Sequence, residues 1–232
     1  MTANGISNNI LDNPFWILPT SKKRFINSGK CALFISLLSI LGILNEKSNE
    51  NVVKNTILDL QHHADILDKM ELDKDSVMII HGGGVYGNKE KALARLEKNI
   101  SILPQNVRDR LVLENCEMSY CVEDLLPISE KLQIPIVLDY HHDSIYQSSQ
   151  PIEHYHERVF AVWKNREIKP KVHVSNSVPG ICETDTKTAR RKHSDYVYFF
   201  HKGLLEITFS IDVMLECKMK EQSILQLRKS CC

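Results

Sequence analysis

The chain has 232 residues, with 29 Lys+Arg against 29 Asp+Glu, 10 His and 43% hydrophobic residues. That composition excludes a disordered or collagen-like polypeptide. The length suffices for one large core but falls slightly short of the roughly 250 residues usual for a closed (β/α)₈ barrel. Zero formal charge excludes a globally basic nucleic-acid binder while leaving room for a local basic groove.

Residues 1–30 carry no recognisable strand. An apolar run over residues 31–44 follows the basic cluster Lys22-Lys23-Arg24 and imitates a signal peptide. It is too short to span a bilayer and starts too deep for an ordinary leader, so it predicts a buried strand or helix and no membrane partner. From residue 50 onward, helix-period segments alternate with short apolar runs. The pattern predicts helices over 51–70, 89–102, 122–132, 152–164 and 220–228, and strands over 76–80, 110–113, 134–138, 171–174 and 211–215. Continuous apolar strands are covered on both faces, which points to an α/β fold with a parallel sheet, a TIM-type (β/α) barrel. The seven cysteines form no C-x-x-C pair and read as reduced thiols, hence as an intracellular chain.

Each predicted strand carries a metal-type ligand at or near its C-terminal end: His81, Glu114, Asp139 with His142, His173, and Glu216. In a barrel those ends open onto one rim, so groups over 100 residues apart can converge. Mixed imidazole and carboxylate donors suit Zn²⁺, Mn²⁺ or Fe²⁺, and several in one cup can hold two or three ions. Multinuclear centres of this kind serve phosphodiester hydrolysis without a side-chain nucleophile. Asp139-Tyr-His-His142 puts a carboxylate and an imidazole three residues apart as the chain turns out of a strand, with a polar strand-end loop of solvated histidines as the alternative. His81-Gly-Gly-Gly84 fits a tight turn and close approach to a phosphate or metal about equally well, and is no P-loop.

The blocks Ile79-Ile-His-Gly-Gly-Gly84 with Tyr86-Gly-Asn-Lys89, Arg110-Leu-Val-Leu-Glu-Asn115, Ile134-Pro-Ile-Val-Leu-Asp-Tyr-His-His142, Pro170-Lys-Val-His-Val-Ser175, His193-Ser-Asp-Tyr196 and Asp212-Val-Met-Leu-Glu-Cys-Lys218 closely resemble the UV damage endonuclease family, in order. The resemblance implies a TIM-barrel, metal-dependent repair endonuclease that nicks damaged double-stranded DNA 5′ to UV photoproducts by metal-activated water. It implies His81, Glu114, Asp139, His142, His173, His193 and Glu216 as ligands, and Glu114 and Lys171 as the groups at the chemistry. Side-chain alternation puts Lys171 and His173 on one face, so both are expected at the rim. The divalent ion is expected to be Mn, with Zn or Mg as alternatives. Tyr86, Lys89, Arg190 and Arg191 are candidate DNA contacts. Trp163 is expected to pack a helix, and the spacing of Cys116 and Cys121 reads as incidental.

The chain also departs from the family pattern. A His-Pro-x-Gln-Tyr motif, whose His is a ligand and whose Gln and Tyr probe the duplex, has no counterpart; Leu37, Leu38 and Leu41 stand where it would be sought, and no histidine precedes His62. Cys116 replaces the family's usual Asp and is expected to weaken support for Glu114. The expectation is therefore a truncated or divergent member: an unmatched segment over 1–49, then a partial barrel over 50–232 with about five or six of eight βα units. It would act as a monomer in a nucleus, mitochondrion or bacterial cytoplasm. The alternatives are a catalytically dead DNA- or metal-binding remnant, or a sugar isomerase or epimerase on the same type of barrel.

Overall fold

In the computed structural model, described for residues 16–17, 35–36, 50–207 and 210–230, all strand pairs run parallel. The strands are β1 (Trp16–Ile17), β2 (Ile35–Ser36), β3 (Met78–His81), β4 (Leu111–Glu114), β5 (Ile136–Asp139), β6 (Lys171–Val174) and β7 (Asp212–Leu215). They form a seven-stranded sheet in the order β1-β7-β6-β5-β4-β3-β2. Sequential neighbours with β7 turned back onto β1 are the topology of a barrel. Among the described residues the sheet is incomplete, with β1 and β2 at its two edges. The α/β, incomplete-barrel expectation is met.

The helices are α1 (Glu50–Lys69), α2 (Lys89–Ser101), α3 (Gln105–Arg108), α4 (Val122–Leu132), α5 (Tyr140–Ile145), α6 (His156–Asn165), α7 (Lys187–Arg190), α8 (Lys202–Leu205) and α9 (Glu221–Ser230), with a 3₁₀ turn at Ile152–Tyr155. Each long helix turns one apolar stripe to the sheet: Leu60, Ala64 and Leu67 from α1, Ala92, Leu96 and Ile100 from α2, and Val159, Phe160 and Trp163 from α6. Trp163 is fully buried and its indole N–H donates to the carbonyl of Ile136 at 2.8 Å, so it packs as expected. β4 to β7 are buried throughout. Among the described residues no helix is long and apolar enough to cross a membrane.

Three features differ from the sequence expectations. Residues read as carrying no strand contribute β1, which pairs with β7, whereas β2, which pairs with β3, falls in the run expected to form a strand or helix. Ile35–Ser36 lies within the apolar run over 31–44; the rest of that run, including Leu37, Leu38 and Leu41, lies outside the described residues. The strands also sit up to two residues further on than predicted, which makes His81, Glu114 and Asp139 the last residues of their strands. Finally, the segment after Asp139 is the short helix α5 rather than a loop. Asp139 caps it, its Oδ1 accepting the backbone N–H of His142 at 2.8 Å.

Candidate metal centre at the strand ends

Strand register brings the predicted ligands together. His81 pairs with Glu114 across β3 and β4, and Asp139 pairs with His173 across β5 and β6. Glu216 follows β7 directly, its N–H donating to the carbonyl of Val174 at 3.0 Å. Ligand atoms of Glu114, Asp139, His173 and Glu216 lie within 4.8 Å of one another, and so do those of His81, Glu114 and His142. Glu114 belongs to both groups. His173 Nδ1 is 2.9 Å from Glu114 Oε1, 3.5 Å from Glu216 Oε1 and 3.8 Å from Asp139 Oδ2. His81 Nε2 is 3.4 Å from Glu114 Oε2, and His142 Nδ1 is 3.4 Å from Glu114 Oε1.

Asn115 holds the two halves in place. Its amide donates to the carbonyl of Asp139 at 2.9 Å while its Oδ1 accepts the Asp139 N–H at 2.9 Å. Its own carbonyl lies 3.0 Å from His142 Nδ1. One side chain thus locks the end of β5 to the end of β4.

Burial without partners is the test of whether this donor set suits a cation. Asp139 Oδ2 and His81 Nε2, both facing the cup, are buried without a hydrogen-bond partner. Buried polar atoms are ordinarily paired, at a cost of about 1–3 kcal/mol when they are not. Two such atoms share the cup, and they are the carboxylate-oxygen and imidazole types that divalent cations take. The cup fits a divalent metal.

Electrostatics agree with the geometry. Burial opposes the imidazolium of His173, yet Glu216, Glu114 and Asp139 outweigh it and raise the group to about 10. His81 is raised to about 9, burial again being outweighed by Glu114, Cys116 and Glu117. Burial would raise Glu114, but His173, His81 and His142 hold it well below the usual carboxylate range. Burial pushes the Glu216 carboxyl up.

Two predicted positions fall differently. Lys171 is fully buried, but its ammonium lies 2.9 Å from Asp75 Oδ1 and 2.9 Å from Asp212 Oδ2, at the N-terminal ends of the strands. It shares a face with His173 but sits one layer below, so the expectation that it lines the rim is corrected: its side chain turns to the barrel floor, where carboxylates await it. His193 is held beside the cup by a bridge to Ser177. Its ring centroid lies 5.3 Å from that of His141 and 6.4 Å from that of His142, and its Nδ1 is buried without a partner.

Sequence reasoning missed His141 and Glu117 and gave Cys116 only a supporting place behind Glu114. His141 has a buried, unpartnered Nε2, its ring centroid lies 6.2 Å from that of His142, and burial lowers it to about 4. Cys116 and Glu117 form a third ligand-type group with His81. The run Glu114-Asn-Cys-Glu117 leaving a strand was the available signal.

A family model described as UV-endonuclease UvdE matches residues 43–231. The chain belongs to that family. A UV DNA damage endonuclease of Bacillus mycoides is 35% identical over 182 residues, covering 76% of this chain and 55% of its own length. A UV-damage endonuclease of Neurospora crassa is 36% identical over 194 residues, covering 78% of this chain and 28% of its own. The crystal structure of SacUVDE superimposes with a TM-score of 0.70 at 30% identity, covering 84% of this chain and 64% of that one. The chain spans about half the length of the bacterial relative it matches.

The candidate DNA contacts of this UvdE family chain have mixed surroundings. Tyr86 is 44% exposed in the loop after β3, with a left-handed φ of 51°. The Lys89 ammonium is committed to Asp124 and, at 2.9 Å, to the hydroxyl of Tyr146. Arg190 donates to the carbonyls of Ser144 and Glu183, bracing α7. Arg191 reaches the cup, its Nε 3.2 Å from Glu117 Oε1. In the Gly82–Gly84 stretch, Gly83 adopts a left-handed φ of 81° and a Cβ on Gly82 would lie 2.6 Å from the ring of Tyr120, so backbone conformation accounts for one glycine and packing for another.

Proposed function

We propose that this chain is a metal-dependent endonuclease of DNA repair, cutting damaged duplex DNA on the 5′ side of UV photoproducts. The observation that carries the proposal is Glu114, a buried carboxylate shared by two ligand groups gathered from five strand ends. Glu114, Asp139, His173 and Glu216 would hold one ion and His81, Glu114 and His142 a second, with His193 and His141 at the edge. Divalent ions there, Mn²⁺ first and Zn²⁺ or Mg²⁺ as alternatives, would supply activation of water and neutralisation of the phosphodiester charge.

The chain's own residues do the rest. Asn115 fixes the two strand ends at one spacing, and Glu114 takes charge from three imidazoles on its two oxygens. Arg191 brings a guanidinium to the mouth of the cup, where a backbone phosphate would be met. Beside His141 opens a cavity of about 730 Å³, lined among others by Ser144, Asn176, Arg190, Tyr198 and His201. It has room for a nucleotide displaced from the duplex. Residues 50–232 would form the working unit, acting as a monomer wherever DNA is kept: nucleus or mitochondrion in a eukaryote, cytoplasm in a bacterium.

The test is incision of a UV-irradiated duplex by the full chain in Mn²⁺. A nick 5′ to the photoproduct, abolished in Glu114→Gln and in His173→Ala, is the expected result. Lesion binding without any incision would overturn the proposal in favour of a dead remnant. Interconversion of a ketose with its isomer, with no effect on DNA, would replace it by the isomerase alternative.

A further inference from the structure

The chain leaving β4 curls back beneath His81. The N–H of Cys116 donates to the carbonyl of Tyr120 at 2.9 Å, and the Cys116 sulfur accepts the N–H groups of Ser119 at 3.1 Å and Tyr120 at 3.2 Å. Two backbone N–H groups fix the buried sulfur in place. Ligand atoms of His81, Cys116 and Glu117 lie within 4.8 Å of one another. Glu117 is buried, its Oε1 on Arg191 at 3.2 Å and its Oε2 3.6 Å from His142 Nε2. The imidazole of His81 is common to this group and to the one containing Glu114, and its Nε2 is buried without a partner.

We propose that His81, Cys116 and Glu117 bind a divalent cation through the Cys116 thiolate, so that this corner of the cup selects thiophilic ions over Mn²⁺. The inference rests on the proposal that the cup holds cations and adds a ligand to it. Sulfur is a soft donor, and its presence beside one nitrogen and one oxygen moves preference toward Zn²⁺, Co²⁺ and Cd²⁺. On binding, the S–H bond gives way to a sulfur–metal bond and its proton passes to solvent, so no oxidant or reductant is involved.

The experiment is a Co²⁺ titration of the full chain followed by absorption. The expected spectrum combines visible d–d bands with a near-ultraviolet sulfur-to-cobalt charge-transfer band. Cys116→Ser and Cys116→Asp should each remove the charge-transfer band while keeping the d–d bands. In Cys116→Asp the preference for Zn²⁺ over Mn²⁺ should drop at least roughly tenfold, the least that altered support costs at a metal centre. A charge-transfer band that survives both substitutions overturns the inference by assigning the sulfur to another cysteine. Visible bands with no charge-transfer band in the unaltered chain overturn it while leaving the metal cup intact; no cobalt bands at all would remove both.

Discussion

Replacing Lys171 by methionine separates floor from cup. The side chain is fully buried, with its ammonium 2.9 Å from both Asp75 and Asp212. Removing one member of a buried ion pair costs about 3–5 kcal/mol, because the other charge is left without compensation. Two features place this case near the low end, about 3 kcal/mol. Lys169 stays 2.7 Å from the other oxygen of Asp212, and the Asp75 side chain is 38% exposed and regains water. In a chain of this size each kcal/mol shifts the melting temperature by roughly 2–4 °C, so a fall of about 6–12 °C is expected. Urea unfolding followed by circular dichroism measures the loss, and calorimetric titration of Mn²⁺ measures what becomes of the cup. The expected pair of results is lowered stability with Mn²⁺ affinity kept within about threefold, since the Lys171 backbone lies about 6.6 Å of strand below that of His173 and its side chain turns away to the floor. Wild-type stability with lost Mn²⁺ binding would refute the assignment of Lys171 to the floor.

Other perturbations bear on the cup itself. Asn115→Ala removes both hydrogen bonds to the Asp139 backbone and takes the side-chain acceptor from the buried Asp139 N–H. It should cost about 2–4 kcal/mol in urea unfolding and weaken Mn²⁺ binding roughly tenfold or more; an effect on neither would contradict the locking role. Because His81 and His173 are raised to about 9 and about 10, Mn²⁺ must displace protons near neutral pH, so the calorimetric binding enthalpy should differ between Tris and phosphate by the buffers' ionisation heats. Equal enthalpies would contradict the protonated cup. The same shifts set a stability trend for ion-free protein. A histidine raised above its usual 6.5 contributes stability that is complete below that value and lost as pH climbs through about 9 to 10. EDTA-treated chain should therefore melt progressively lower from pH 6.5 upward, with His81→Ala and His173→Ala reducing the slope; a slope unaffected by both substitutions would contradict it.

The long helices and the five four-residue strands were legible because their apolar runs have strand length or helical period, and burial on both faces leaves little polar alternation to confuse them. The gathering of the candidate ligands was legible because parallel strands deliver their last residues to one rim. What escaped the sequence depends on height and on short-range folding. Alternation correctly put Lys171 and His173 on one face but says nothing of the layer each occupies, and the carboxylates of Asp75 and Asp212 decided that for Lys171. β1 is too short to carry a pattern, whereas β2 lies in an apolar run that did. The place of Cys116 depends on a loop that returns two N–H groups to its sulfur, a geometry that spacing to Cys121 does not encode.

Anomalous diffraction from a crystal of the full chain soaked in Mn²⁺ tests the convergence of distant donors most directly. The expected map has a peak within about 2.0–2.2 Å of donor atoms from Glu114, Asp139, His173 and Glu216 together, with Glu114 also facing a second peak toward His81 and His142. Peaks confined to surface carboxylates, with the cup's imidazoles and carboxylates still paired only to each other, would contradict the account.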